Sequence, residues 1–122
     1  MTTANAPALA APLSHAIRKG PVLQVSGQLP LDPDTGKVVG TTVAEQTTQT
    51  LRNVTAVLKA GGAGLVDIVM LRVYLTDPAH LAEMNEAYAA AVGEPFPART
   101  TAYMQLPPGL LVEIDALAVL DD

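Results

Sequence analysis

Two side chains in this sequence have the type and setting for small-molecule chemistry: Arg99, within Pro97-Ala98-Arg99-Thr100-Thr101, and Glu113, within Leu111-Val112-Glu113-Ile114-Asp115-Ala116. Each lies in a segment that reads as a β-strand, with a Pro107-Pro108-Gly109 turn between them, in a chain only 16% charged. A lone cation and a lone carboxylate on apolar strands need partners, because burying an uncompensated charge is strongly unfavourable. Two readings meet that need. Arg99 and Glu113 form a structural ion pair, or they are the polar groups of a small-molecule pocket.

Composition limits what such a pocket can belong to. The 122 residues suit one compact domain, and 49% hydrophobic residues supply a core. Cysteine is absent, which removes disulfides, thiolate catalysis and cysteine-bound metals. The two histidines, His15 and His80, are far apart and no metal-ligand spacing is visible, so a bound metal is not expected. Seven Lys and Arg against twelve Asp and Glu give a net charge of -5 without a basic cluster, so nucleic acid is not an expected partner. The segment Thr2 to Ala11 has no Lys or Arg ahead of an apolar core and is interrupted by Asn5 and Pro7, so it does not read as a signal peptide. No apolar run is long enough to span a bilayer. The expectation is a soluble, cytoplasmic protein without membrane contact.

The elements that must position Arg99 and Glu113 follow from periodicity and punctuation. Residues 1–13, rich in Ala, Thr and Pro, read as a flexible arm ahead of one domain over residues 14–122. Val22 to Val25, bounded by Gly20-Pro21 and Gly27, reads as a strand, with a shorter one before it between His15 and Arg18. Gln28 to Lys37 is dense in Pro, Asp and Gly and reads as a surface loop ending in a short Val38-Val39 strand. Thr42 and Glu45 have capping-box spacing, and Leu51, Val54, Val57 and Leu58 form a helical stripe that Gly61-Gly62 stops. This predicts a helix over Val43–Ala60. Ile68 to Thr76 is β-branched and apolar except for Arg72, and reads as a central strand covered on both faces. Asp77-Pro78 opens a second helix, expected over Pro78–Val92 and ended by Gly93.

This order argues an α+β two-layer sandwich: one mixed β-sheet with two helices on one face. The other sheet face also carries apolar residues. Covering a few hundred Å² of it at ~25 cal/mol per Å² is worth several kcal/mol, so packing against other subunits is expected.

Strict alternation in the last strand groups Glu113 and Asp115 with Leu111, Leu117 and Val119, opposite Val112, Ile114, Ala116 and Ala118. In the strand before it, Arg99 shares a face with Thr101, Tyr103 and Gln105. A pocket wall has this pattern, and so does an ordinary surface-facing strand. Alternation alone favours the second.

Three separated segments then carry a resemblance: Val25-Ser26-Gly27-Gln28-Leu29-Pro30, Pro97-Ala98-Arg99-Thr100-Thr101, and Val112-Glu113-Ile114-Asp115-Ala116-Leu117-Ala118-Val119. In this order they resemble the Rid (YjgF/YER057c/UK114) family of enamine/imine deaminases, from Ala11-Pro12 to Val119. The resemblance implies a chorismate-mutase-like fold assembled as a homotrimer, with clefts between subunits. It also implies hydrolysis of 2-imino or enamino acids, released by pyridoxal-phosphate enzymes, to 2-oxo acids and ammonia. By that resemblance Arg99 holds the substrate carboxylate through parallel N–H donors, and Glu113 positions and polarises the attacking water. Ser26 and Gly27 match the cleft's Ser-Gly segment, Thr101 a position whose backbone meets the ligand carboxylate, and Asn85 a family asparagine.

The chain also departs from the family. Deaminating members commonly have Gly-Pro-Tyr ahead of the first strand, whereas this chain has Ala11-Pro12-Leu13, so Leu13 replaces a phenol that sits over the substrate. His15 stands where Gln is common and reads as a surface histidine. The run from Arg99 to Leu106 is one residue shorter than in the best-known deaminases. A one-residue slip turns a strand's side chains to the other face, so a bulge is expected to absorb it if Arg99 and Glu113 are to converge. Two functions follow. One is a metal-free, cofactor-free deaminase of small imino acids. The other is a diverged Rid-fold protein that binds a small carboxylate or acts on another substrate in a specialised pathway. The endonuclease activity ascribed to some relatives finds little electrostatic support in so acidic a chain.

Overall fold

Thr42 and Glu45 fix where the first helix begins. The Thr42 hydroxyl accepts from the Glu45 N–H at 3.2 Å, and Glu45 Oε1 accepts from the Thr42 N–H at 3.2 Å, the reciprocal pair their spacing predicts. In the computed structural model, which describes residues 1–121, this helix, α1, spans Val43–Ala60. Gly62, at φ +84°, makes the left-handed turn after it. Helix α2 is Leu81–Val92, and Pro78–His80, expected as its first turn, is a 3-10 turn in which Asp77 Oδ1 accepts from the Ala79 N–H at 2.9 Å.

Five strands complete the domain: β1 (Ala16–Lys19), β2 (Val22–Gln28), β3 (Ile68–Leu75), β4 (Ala98–Tyr103) and β5 (Val112–Val119). They form one sheet in the order β1-β2-β5-β3-β4. Neighbours are antiparallel except β3 and β4, which α2 connects as a parallel pair. The fold is thus α+β with a mixed sheet, as expected. The Val38-Val39 strand reduces to a single bridge between Leu31 and Val38. Pro30 and Pro33 remove donors there, and the Asp32–Lys37 turn leaves too little extended chain to pair.

Both helices lie on one face of the sheet. Leu71, Val73 and Leu75 of β3 and Val112, Ile114, Ala116 and Ala118 of β5 are buried with Val54, Val57 and Leu58 of α1 and Met84 and Tyr88 of α2. The alternation read in β5 therefore holds. Strand β3, expected to be covered on both faces, is covered on one. Its other face carries Arg72, whose side chain is 50% exposed, because no second layer of this chain lies there. That open face shows exposed Ile17, Val22 and Val119 beside its polar residues. No helix is long and apolar enough to cross a membrane among the described residues.

Residues 1–13 pack against the start of β1 through His15. Read from sequence as a surface histidine, His15 is instead 3% exposed. Its Nδ1 accepts from the Thr3 N–H at 3.0 Å and its Nε2 lies 2.7 Å from the Pro7 carbonyl, a geometry that a neutral ring protonated on Nε2 satisfies at both ends. The sequence signal that it would be buried is absent, because its partners are backbone groups of an irregular segment.

Candidate active site

Glu113 owes its direction to Gln46. This buried α1 side chain donates to Gly109 O at 2.8 Å and Gly40 O at 3.1 Å, while its Oε1 accepts from the Leu111 N–H at 2.8 Å. The clamp fixes the Pro-Pro-Gly turn and hence the phase in which β5 begins, sending Val112 into the core and Glu113 to the open face. Beside it, β2 is bulged: Val25 pairs with Ala116 and Gln28 with Ile114, so Ser26 and Gly27 together oppose Asp115. Asn53 of α1 holds the chain leaving the bulge, donating to Leu29 O and Leu31 O at 2.9 Å each.

The bulge brings backbone directly under the carboxylate. A Cβ placed on Gly27 would overlap Glu113 Oε2 and lie 3.0 Å from its Cδ, so glycine is what lets Glu113 rest there. The Ser26 hydroxyl donates to Ser14 O at 2.6 Å, which leaves its lone pairs free to accept. Leu13 stands half-exposed at the rim. With Arg72 and Asp115 these residues wall a groove of about 550 Å³. Burial, and secondly the negative charge of Asp115, raise the pKa of Glu113 above its ordinary 4.5. Asp115 is itself engaged: Arg72 Nε donates to its Oδ1 at 2.8 Å and the Tyr74 hydroxyl to its Oδ2 at 3.0 Å.

Arg99 is elsewhere. β4 pairs with β3 without a break from Met70–Ala98 to Leu75–Tyr103, which sets Arg99 level with Leu71 and Thr101 level with Val73, on the helix side of the sheet. The guanidinium lies over the Tyr88 ring, 4.8 Å from its centroid. Asn85, Tyr88, Phe96 and Arg99 border a hollow of about 330 Å³. Asn85 Oδ1 and the Tyr88 hydroxyl are buried there without a hydrogen-bond partner.

The predicted site residues thus divide into two groups. Leu13, Ser26, Gly27 and Glu113 meet at the groove on the open face, while Asn85, Arg99 and Thr101 lie on the helix side. An Arg99–Glu113 ion pair does not form within the chain: β3 separates the two strands, and the side chains take opposite faces. Among the described residues the ion pair of the sheet is Arg72–Asp115. Nor does β4 carry a bulge; the irregularities fall at Ser26-Gly27 in β2 and between Ile68 and Met70 in β3. Arg72, Tyr74 and Tyr88 were not singled out from sequence. Arg72 had a signal, as the lone charge in an apolar strand, but naming Asp115 as its partner requires the β3–β5 register that sets them opposite each other.

The Gly27 contact yields a direct expectation. In Gly27→Ala the group that must move is the flexible end of Glu113, so Tm should stay within about 3 °C of wild type. The displaced carboxylate should nevertheless lower kcat/KM by roughly 10-fold or more in any reaction that uses it. Thermal melts and turnover on the same preparation check both halves.

Comparison with known proteins agrees with this architecture. Residues 3–120 match the family described as endoribonuclease L-PSP. A RutC family protein of Pyrococcus horikoshii is 44% identical over 117 residues, covering 95% of this chain and 93% of that protein. The 2-iminobutanoate/2-iminopropanoate deaminase of Bos taurus is 38% identical over 120 residues, covering 98% of this chain and 88% of that protein. The crystal structure of the YjgF gene product of E. coli superposes with a TM-score of 0.91 at 38% identity, covering 97% of this chain and 95% of that one. Family match, relatives and superposition agree, and the chain belongs to the Rid (YjgF/YER057c/UK114) family.

Proposed function

We propose that the protein hydrolyses 2-imino or enamino acids to 2-oxo acids and ammonia, in clefts formed between the subunits of a homotrimer. The observation that carries this reading is a pair of incomplete half-sites. One has a guanidinium with no carboxylate in ion-pair distance among the described residues, beside buried polar atoms that lack partners. The other has a half-buried carboxylate over a glycine backbone. Neither alone can both hold an acid and activate water. Docking a second copy on the open sheet face covers exposed Ile17, Val22 and Val119 and joins the Arg99 of one chain to the Glu113 of its neighbour. The name of the Bos taurus relative supports the choice of reaction.

In this mechanism Arg99, lying over the Tyr88 ring, binds the substrate carboxylate through two parallel N–H···O bonds, with Asn85 beside it in the same hollow and Thr101 two residues further along β4. Ser26 and Glu113 accept from a water on the C=N carbon. Glu113 takes a proton as the water oxygen attacks, the C=N electron pair moves to nitrogen, and Glu113 passes that proton to the nitrogen to give a neutral carbinolamine. The carbinolamine then collapses: Glu113 takes the hydroxyl proton, the oxygen forms the new C=O, the C–N bond breaks, and ammonia leaves with that proton. One water is consumed and one 2-oxo acid and one ammonia result. A diverged carboxylate-binding protein remains the second reading, favoured by Leu13, which offers no hydroxyl at the rim.

The test is to generate 2-iminobutanoate enzymatically and follow its decay. The wild-type protein is expected to accelerate it, with kcat/KM rising with pH through a midpoint above 4.5, the ordinary Glu value, because the base must be ionised. No acceleration at any pH would leave the binding reading.

A further inference from the structure

We propose that Asp115, clamped by Arg72 and Tyr74, is a positioning residue that governs when Glu113 holds its proton. The inference rests on the proposed role of Glu113, yet it can be read on Glu113 directly. Glu113 and Asp115 are two residues apart on one strand face, which separates their Cα atoms by roughly 7 Å. The β3–β5 register sets Tyr74 opposite Glu113 and Arg72 opposite Asp115. From β2 the groove receives Gln24, Ser26 and Gly27, and from the arm Leu13, none of which titrates or carries a charge. Arg99 lies on the far face of the sheet. Glu113 therefore faces one negative group, Asp115, one positive group, Arg72, and one phenol, Tyr74.

These three groups pull in opposite directions. Asp115 opposes ionisation of Glu113, and Arg72 restrains Asp115. Without Arg72, Glu113 would keep its proton over more of the pH range and fail as a base. Without Asp115, it would lose its proton readily and accept one poorly from water. The arrangement contributes little as a stability device, since Arg72 is half exposed and such pairs are worth little. Its geometry is better suited to setting a neighbour's charge. Arg72 engages Asp115 through Nε, while its side chain also borders the groove.

The experiment is a carbon-13 NMR titration of the Glu113 side-chain carboxyl in the intact protein, assigned with Glu113→Gln. Asp115→Asn is expected to lower the Glu113 midpoint by roughly one pH unit and Arg72→Met, which acts through Asp115, to raise it by less. The double variant should fall between them. Tyr74→Phe removes one hydrogen bond to Asp115 and should give a smaller upward shift, which keeps the test open if Asp115→Asn does not fold. Where turnover is measurable, the acid limb of kcat/KM should move with each midpoint. Glu113 midpoints unchanged in Arg72→Met and Tyr74→Phe would overturn the proposal, even if activity fell. Opposite shifts in a protein that hydrolyses no imine would uphold it and remove the deaminase reading instead.

Discussion

Replacing Glu113 by Gln is expected to lower kcat/KM for 2-iminobutanoate by at least about 10²-fold while leaving the fold intact. The amide keeps the size and the hydrogen-bonding reach of the carboxylate but cannot take a proton from water. Stability should move the other way. Burial raises the pKa of Glu113, so its ionised form is disfavoured in the folded state. Its stabilising contribution is present below the ordinary carboxylate value and is lost as pH rises through the raised one. The neutral Gln escapes that loss. The Tm of Glu113→Gln relative to wild type should therefore increase across the same pH interval in which wild-type activity appears. A variant that loses both activity and stability at neutral pH would show that Glu113 is a structural group.

Much of the scaffold could be read from local signals. The Thr42–Glu45 capping box and the Gly61-Gly62 stop located α1, and alternation in β5 separated Glu113 and Asp115 from the core residues. These features depend on neighbours a few residues away. The relation between Arg99 and Glu113 does not. It depends on β3 lying between their strands, on β4 running parallel to β3, and on the phase in which each strand enters the sheet. Alternation assigns residues to one of two faces within a strand, but not to the same face across strands. That is why the two charges read as one wall and fold onto opposite faces of the sheet.

The same limit hid Arg72 and His15. Arg72 reads as an oddity in an apolar run until register brings Asp115 beside it. His15 reads as a surface residue until the arm wraps its ring with the backbone groups of Thr3 and Pro7. Buried polar residues of α1 had a clearer local signal, since Gln46 and Asn53 share the helix face with Val54 and Val57. Their partners are carbonyls of the two loops that flank the groove, so the face that reads as core also aligns the site.

Arg99→Ala is expected to remove about 10²- to 10⁴-fold of kcat/KM, the loss of two charge-assisted hydrogen bonds to a carboxylate. Arg99→Lys should recover little, because an ammonium lacks the planar fork and stacks poorly on Tyr88. The more informative experiment combines two inactive proteins. Since Arg99 and Glu113 face opposite sides of one sheet, a cleft containing both must draw them from different chains. Arg99→Ala retains Glu113, and Glu113→Ala retains Arg99. After equal amounts are unfolded and refolded together, three-quarters of randomly mixed molecules of the proposed cyclic trimer would contain both chains, each with one intact cleft of three. About a quarter of wild-type activity should then return. Mixing without exchange of subunits should return none. Failure of the co-refolded mixture, with mixed trimers confirmed by native mass spectrometry, would mean that the two residues do not serve one reaction.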